Sequence, residues 1–299
     1  MKAILVTGGA GSVGREVVAH LAARGHCVRA FDLPGCDFRP LERTAGVEVL
    51  KGDVTDLDGL RRAASGVDAV IHLAALLPPR SEWRREATMA INVGGTANVL
   101  AAMQSACPGA HLIFSSSVCV YGDTSATAPP VRVSSPYRPC DHYAVSKIEA
   151  EQLVVAGGLP YTVLRISGIS VPAFLEPPQV WPFSADQRLE FVCRTDVVAA
   201  LAACIGNEAA QGKVLNIAGG PTWRMLGREY VAHLNGAMGL PPDEGQFSER
   251  PGAFDWYDTD ESQAILGYQQ TSFARFLELL EEAIEEAMGG LEDAHVPDD

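Results

Sequence analysis

No apolar run in this sequence approaches the roughly 18 residues that a membrane-spanning helix needs. Its seven cysteines (27, 36, 107, 119, 140, 193 and 204) contain no C-x-x-C pair and lie in apolar or loop contexts. They read as reduced thiols of a cytoplasmic protein, and no metal is expected. One lysine and a brief apolar stretch precede the first glycines, so no secretory leader is expected. No internal repeat is visible. Basic residues are in deficit: 23 Lys and Arg face 37 Asp and Glu, a net charge of −14. That balance lacks the basic footprint a nucleic-acid binder requires. Nine of the acids lie from Glu278 onward, where no Lys or Arg occurs, and the remaining 28 leave a balance of only −5. The acidity is therefore a solvated C-terminal face, with no bearing on a cationic substrate.

What is present is ample material for a core. With 299 residues and 47% hydrophobic content, the chain allows one large α/β unit with a smaller appended lobe. Ala3-Ile4-Leu5-Val6 reads as a buried strand, and Arg15 to Ala22 has the apolar spacing of a helix. Between them stands Thr7-Gly8-Gly9-Ala10-Gly11-Ser12-Val13-Gly14. A strand, a glycine turn and a helix N-terminus form a phosphate seat, because the first helical N–H groups lack partners and the helix dipole favours an anion. Glycine lets the backbone turn sharply and approach a pyrophosphate.

A second strand, His26 to Phe31, ends at Asp32. A carboxylate there can accept the adenosine ribose hydroxyls and repel a 2′-phosphate, which favours NAD over NADP. Arg29, Arg39 and Arg43 are nearby cations that would soften that preference. Val47 to Leu50 is a third strand, and Asp56 is placed to cap a helix over 57–64. The fourth strand, Asp68 to Leu73, contains His72, which reads as packed, and leads to the small pair Ala74-Ala75. Residues 84–106 read as one long helix. The fifth strand, His111 to Phe114, feeds Ser115-Ser116-Ser117, a polar triplet where open α/β sheets place ligands. About 25 residues later, Tyr143 and Lys147 stand at i and i+4 on one face of a helix over 141–156. A phenol ionises near about pH 10, and a neighbouring ammonium would pull that value down.

The T-G-x-x-G-x-x-G loop, Asn92-Val93-Gly94-Gly95-Thr96-Ala97-Asn98, the Val120-Tyr121-Gly122 anchor and Tyr143-x-x-x-Lys147 together resemble the extended short-chain dehydrogenase/reductases, the NAD-dependent epimerase/dehydratase family. Further similarities at Phe191–Val198, Val214–Gly220 and Asp258–Tyr268 spread over nearly the whole chain. The resemblance implies a Rossmann-type doubly wound parallel sheet with a small C-terminal substrate-binding lobe. Residues 1–166 and 191–220 would form the NAD-binding part, and 167–190 and 221–299 the lobe.

It also implies roles. Tyr143 would be the acid/base, Lys147 its electrostatic partner and the holder of the nicotinamide ribose, and Ser117 the hydrogen-bond donor to the reacting oxygen, with Asn92 in support. Gly8, Gly11, Ser12, Val13 and Gly14 would hold the pyrophosphate, while Asp32, Asp53 and Val54 would face the adenosine. Leu73, Ala74, Ala75, Asn92, Ser115, Ser116 and Ile166 would complete the cofactor lining. Leu77, Ser117, Cys119, Tyr143, Ser167, Trp181 and Arg194 are candidates to touch a substrate. A homodimer through helices 84–106 and 141–156 is expected.

Only some 25 proline-rich residues separate the sixth strand, Pro160 to Arg165, from Phe191, fewer than nucleotide-sugar enzymes of this branch use. Sugar-nucleotide dehydratases place Asp-Glu after the catalytic serine or threonine, where this chain has Val118 and Cys119. The favoured reading is an NAD-dependent oxidoreductase acting on a secondary alcohol or ketone of a sugar-like or small metabolite. The alternatives are a nucleotide-sugar 4-epimerase and a non-catalytic NAD-binding sensor.

Overall fold

A computed structural model describes residues 1–293. Seven strands form one parallel sheet: β1 (Ala3–Thr7), β2 (Cys27–Asp32), β3 (Val47–Lys51), β4 (Ala69–His72), β5 (His111–Ser117), β6 (Tyr161–Ile166) and, later in the chain, a strand at Lys213–Ile217. Between β6 and that last strand lie three short strands, β7 (Ile169–Ser170), β8 (Arg188–Glu190) and β9 (Val192–Cys193), so the sheet strand is β10; β11 is Arg224–Leu226. The spatial order is β10-β6-β5-β4-β1-β2-β3. Winding therefore reverses between β1 and β4, which leaves a crevice at the carboxyl ends of those strands. β5 runs three residues beyond Phe114 because Ser115, Ser116 and Ser117 pair with Leu164, Arg165 and Ile166 of β6.

Helices cover both faces, as buried parallel strands demand. On one face α1 (Ser12–Ala23) sets Val17, Val18 and Leu21 against Val197, Val198 and Leu201 of the helix Arg194–Ala203. On the other, helices Leu57–Ala64, Gly95–Ala106 and His142–Ala156 contribute Leu60, Val99, Met103 and Val154 to a second core. Asp56 caps the first of these by accepting Asp58 N–H at 3.1 Å.

The stretch expected as one helix over 84–106 departs from that expectation. Residues Met89–Gly94 are π-helical, between α-helical Arg85–Thr88 and Gly95–Ala106. The wider turn carries Asn92, and such insertions recur at functional positions.

A third core lies apart, built from aromatic residues. Phe183, Phe191, Trp223, Tyr230, Phe273 and Phe276 pack with Leu189, Leu234 and Leu280. Its frame is the antiparallel pair β8–β11 with helices Gly227–Ala237 and Phe273–Asp293. Phe191 and Cys193, expected with the sheet, belong to this aromatic core. No helix among the described residues is long and apolar enough to cross a membrane.

Candidate active site

The glycine loop folds into a cradle that no side chain could share. Gly8 has φ +73°, and a Cβ there would stand 2.8 Å from Ala74 N; one on Gly14 would collide with Gly8 O. The loop therefore packs backbone against backbone and leaves its outer edge for a ligand. Gly11 is the N-cap of α1 and brings no side chain to the first-turn N–H groups. They remain directed at the crevice, as a pyrophosphate requires.

Two cavities meet along this loop. The first, of about 350 Å³, is lined by Gly8, Gly11, Asp32, Asp53, Val54, Leu73, Ala74, Ala75 and Leu77. Its walls also include Ala10, Phe31, Leu33, Cys36, Gly52, Leu76 and Ile91, which were not anticipated. Gly52 carried a signal, as neighbour of Asp53: a Cβ there would stand 2.5 Å from the Phe31 ring. The Asp32 carboxylate accepts Ala10 N–H at 3.0 Å and Leu33 N–H at 2.8 Å, which fixes it on the wall. Arg29 is drawn away to Glu48 and to the carbonyls of Ala63 and Ser65, while Arg39 is paired with Asp37 at 2.8 Å. Arg43 lies with Arg39 on a separate hollow. The glycine cradle and a carboxylate that none of these three arginines meets together fit NAD.

The second cavity, of about 210 Å³, joins Gly11, Ser12, Val13 and Gly14 to Leu77, Ser115, Ser116, Ser117, Tyr143, Lys147, Ile166 and Ser167. The serine triplet and the tyrosine–lysine pair, distant in sequence, thus share one wall. Lys147 Nζ donates to Ser115 O at 2.8 Å and lies 5.6 Å from the centre of the Tyr143 ring. Burial lowers the Lys147 ammonium to about 8, against the opposing pull of Cys119 and Glu151. Tyr143 differs from expectation. Burial, then Cys119 and Asp141, push its phenol well above the usual value, so desolvation outweighs any help from the lysine.

Asn92 is absent from both walls and works one step back. Its side chain accepts Leu76 N–H at 2.7 Å, donates to Leu76 O at 3.1 Å and donates to Ser146 Oγ at 2.9 Å. It thereby fixes the Leu76 wall against the tyrosine helix. A further residue escaped the sequence reading. Glu82, on the short helix Arg80–Trp83, accepts His142 N–H at 2.9 Å and Tyr143 N–H at 3.1 Å, beside Asp141, which accepts Ala144 N–H at 2.6 Å. Burial raises the Glu82 carboxyl, but the bonds from His142, Ser81 and Tyr143 prevail and hold it below its ordinary value.

Three candidates stand elsewhere. Cys119 is buried behind the wall, where desolvation drives its thiol up to about 12, a poor proton carrier. Arg194 is bound by Glu16 of α1 at 2.5 Å and does not line the cavity. Trp181 packs on Phe183 at 5.6 Å between ring centres and lines a cavity of the aromatic lobe. Ser167 does line the site, with its hydroxyl donated to Glu190 O at 2.7 Å. His72 is buried between Thr7 Oγ1 at 2.6 Å and Thr96 Oγ1 at 3.1 Å. Behind the wall, Glu151 joins Ser116, Tyr137 and Arg165, the last at 2.8 Å in a buried pair.

Comparison with known proteins agrees with this geometry. A 3 beta-hydroxysteroid dehydrogenase/Delta 5-->4-isomerase of Mycobacterium tuberculosis is 36% identical over 176 residues, which are 56% of this chain and 46% of that relative. A UDP-glucose 4-epimerase of Streptomyces lividans is 32% identical over 180 residues, 57% of this chain and 51% of that one. The matches thus span about half the length of these curated relatives. Among solved structures, MoeE5 in complex with UDP-glucose and NAD superposes with a TM-score of 0.80 at 25% identity, covering 95% of this chain and 99% of its own. The model of one family, described as NAD dependent epimerase/dehydratase, matches residues 4–218. With its glycine cradle, fixed Asp32 and tyrosine–lysine wall, the chain belongs to the NAD-dependent epimerase/dehydratase family.

Proposed function

We propose that this protein is an NAD-dependent oxidoreductase that interconverts a secondary alcohol and its ketone, with Tyr143 as the acid/base. The observation that carries the reading is the convergence of Ser117, Tyr143 and Lys147 on one wall of a cavity that begins at the phosphate cradle. NAD held along Gly8, Gly11 and Asp32 would supply a hydride acceptor there, and the protein would supply orientation and proton chemistry. In oxidation the Tyr143 phenolate would take the hydroxyl proton as the carbinol carbon loses hydride to the bound cofactor and the C=O bond forms. Ser117 steadies the substrate oxygen, and Lys147, fixed on Ser115 O, holds positive charge beside the phenol. Burial keeps the Tyr143 phenol protonated in the free protein, so it is set to donate to a ketone near neutral pH. In the oxidation direction the phenolate is required, and the rate is expected to climb with pH through the alkaline range.

The relatives support this class: one is named as a hydroxysteroid dehydrogenase and another as a 4-epimerase. The epimerase reading is supported by the second relative and by the nucleotide sugar bound to MoeE5. Cytoplasmic residence is supported by the seven free cysteines. A homodimer through residues 84–106 and 141–156 is supported by Leu153 and Val155, exposed on the second of these stretches; a scattering mass at working concentration checks it.

The test is NADH production from an alcohol panel by protein purified without added cofactor. Tyr143→Phe is expected to lower kcat at least ~100-fold while NAD still binds. Full turnover by that variant would remove the acid/base assignment. Tightly retained NAD with redox-neutral turnover of a nucleotide sugar would favour the epimerase instead.

A further inference from the structure

The site beside Tyr143 has a neighbouring cavity on the other side of Ile169. Ile169, first residue of β7, lines the Tyr143 cavity and also this third one, of about 210 Å³, inside the aromatic lobe. The third cavity is bounded by Leu175, Trp181, Leu234, Met238, Phe276 and Leu280. Its one charged neighbour is Glu176, an acid. The two hydroxyls on its wall, Ser170 and Tyr230, are bonded to each other at 2.8 Å. The approach is apolar as well: Ile169, Phe174, Leu175 and Val180 are exposed along one segment, Phe174 by 55% and Leu175 by 58%.

A nucleoside diphosphate would need cations; no arginine or lysine lines this cavity, and four of the lobe's five arginines are held in ion pairs. Arg188 is paired with Asp255 at 2.6 Å, Arg224 with Glu190 at 2.8 Å, Arg228 with Asp186, and Arg275 with Glu278 at 2.8 Å. None of them lines the third cavity. A diphosphate there would face Glu176 without a counter-charge, and sugar hydroxyls would lose water without gaining partners. Apolar surface gains by the same move.

We propose that this cavity receives the body of the substrate, an uncharged alcohol or ketone with an apolar skeleton whose oxygen reaches Tyr143 past Ile169. The proposal rests on the oxidoreductase reading and names its substrate class.

The experiment uses the full-length protein with NAD, the homologous 2-alkanols from 2-butanol to 2-decanol, and UDP-glucose. In parallel, 2-decanone is titrated without cofactor while tryptophan fluorescence is recorded, with Trp181→Phe as the control that should lose the signal. The expected result is a kcat/KM that rises roughly threefold to fourfold per methylene until the cavity is filled, with no turnover of UDP-glucose. Leu234→Glu should flatten that series and weaken 2-decanone binding at least tenfold. If Leu234→Glu does not fold, Leu175→Glu on the exposed rim serves the same end. NADH formation with no dependence on chain length, or turnover confined to UDP-glucose, would overturn the apolar substrate and leave the oxidoreductase standing. Binding of 2-decanone with no NADH from any alcohol would overturn the oxidoreductase and leave the cavity's ligand class standing. Neither binding nor turnover would overturn both.

Discussion

The cofactor cradle and the aromatic lobe solve recognition by opposite means. At the cradle, specificity lies in the backbone: glycines at 8 and 14 remove side chains where none would fit, and Asp32 is fixed by two N–H groups. In the lobe it lies in side-chain surface, with Trp181, Leu234 and Phe276 around a cavity almost without free polar groups. Backbone recognition tolerates almost no substitution and suits a ligand that never changes. Side-chain surface is easily reshaped and suits the half of the reaction that distinguishes one enzyme from its relatives.

That contrast can be broken at either end. The largest effect is expected from Gly14→Ala, whose methyl would meet Gly8 O and force the cradle open. NAD affinity should fall by more than ~100-fold in calorimetry, about the 2.7 kcal/mol that one lost backbone approach costs at a strained site. In the lobe, Trp223→Ala removes a buried ring that lies 5.1 Å from both Phe273, edge to face, and Phe276, tilted, and that is bonded to Thr271 O at 2.8 Å. It should cost roughly 3–5 kcal/mol in denaturant unfolding. If the two regions are separable, folded protein carrying that change binds NAD with wild-type affinity; a parallel loss of NAD affinity would show that they are not.

A third effect sharpens the comparison by pH. Burial, then Lys147, depress the His72 imidazole from 6.5 to about 3 beneath the cradle. The fold favours the neutral ring, so this stabilisation is complete above pH 6.5 and is lost as pH falls from 6.5 toward 3. His72→Gln should therefore flatten the acid limb of a melting-temperature profile and leave its alkaline limb alone. The smallest effect belongs to Glu82→Gln. It keeps one acceptor for the Tyr143 helix but removes the charge at its N-terminus, and about 1 kcal/mol of stability should go with it. A lower kcat at unchanged KM would mark Glu82 as positioning Tyr143.

Much of the cradle was legible because its signals are local. The glycine spacing, Asp32 after its strand, the serine triplet and the tyrosine–lysine interval each lie within a few residues. Glu82 was not legible, since its partners His142 and Tyr143 lie 60 and 61 residues away. The Ser116, Glu151 and Arg165 cluster is hidden for the same reason. The π-helical turn at Met89–Gly94 has no breaker to announce it, and the partners of its Asn92, Leu76 and Ser146, lie 16 and 54 residues away. The sign of the Tyr143 shift depended on burial, a quantity that spacing does not contain.

Ile169 stands in both the reaction cavity and the apolar cavity. On the proposed substrate path, its size would set how freely the two communicate. In an engineering campaign it is the position to randomise first. Shrinking it to alanine would admit bulkier skeletons from the lobe side without touching the glycine cradle. A larger aromatic residue would close the passage and confine the enzyme to short alcohols. In a lineage descended from one ancestor, new substrates would be acquired through such a doorway while the machinery behind it stayed fixed.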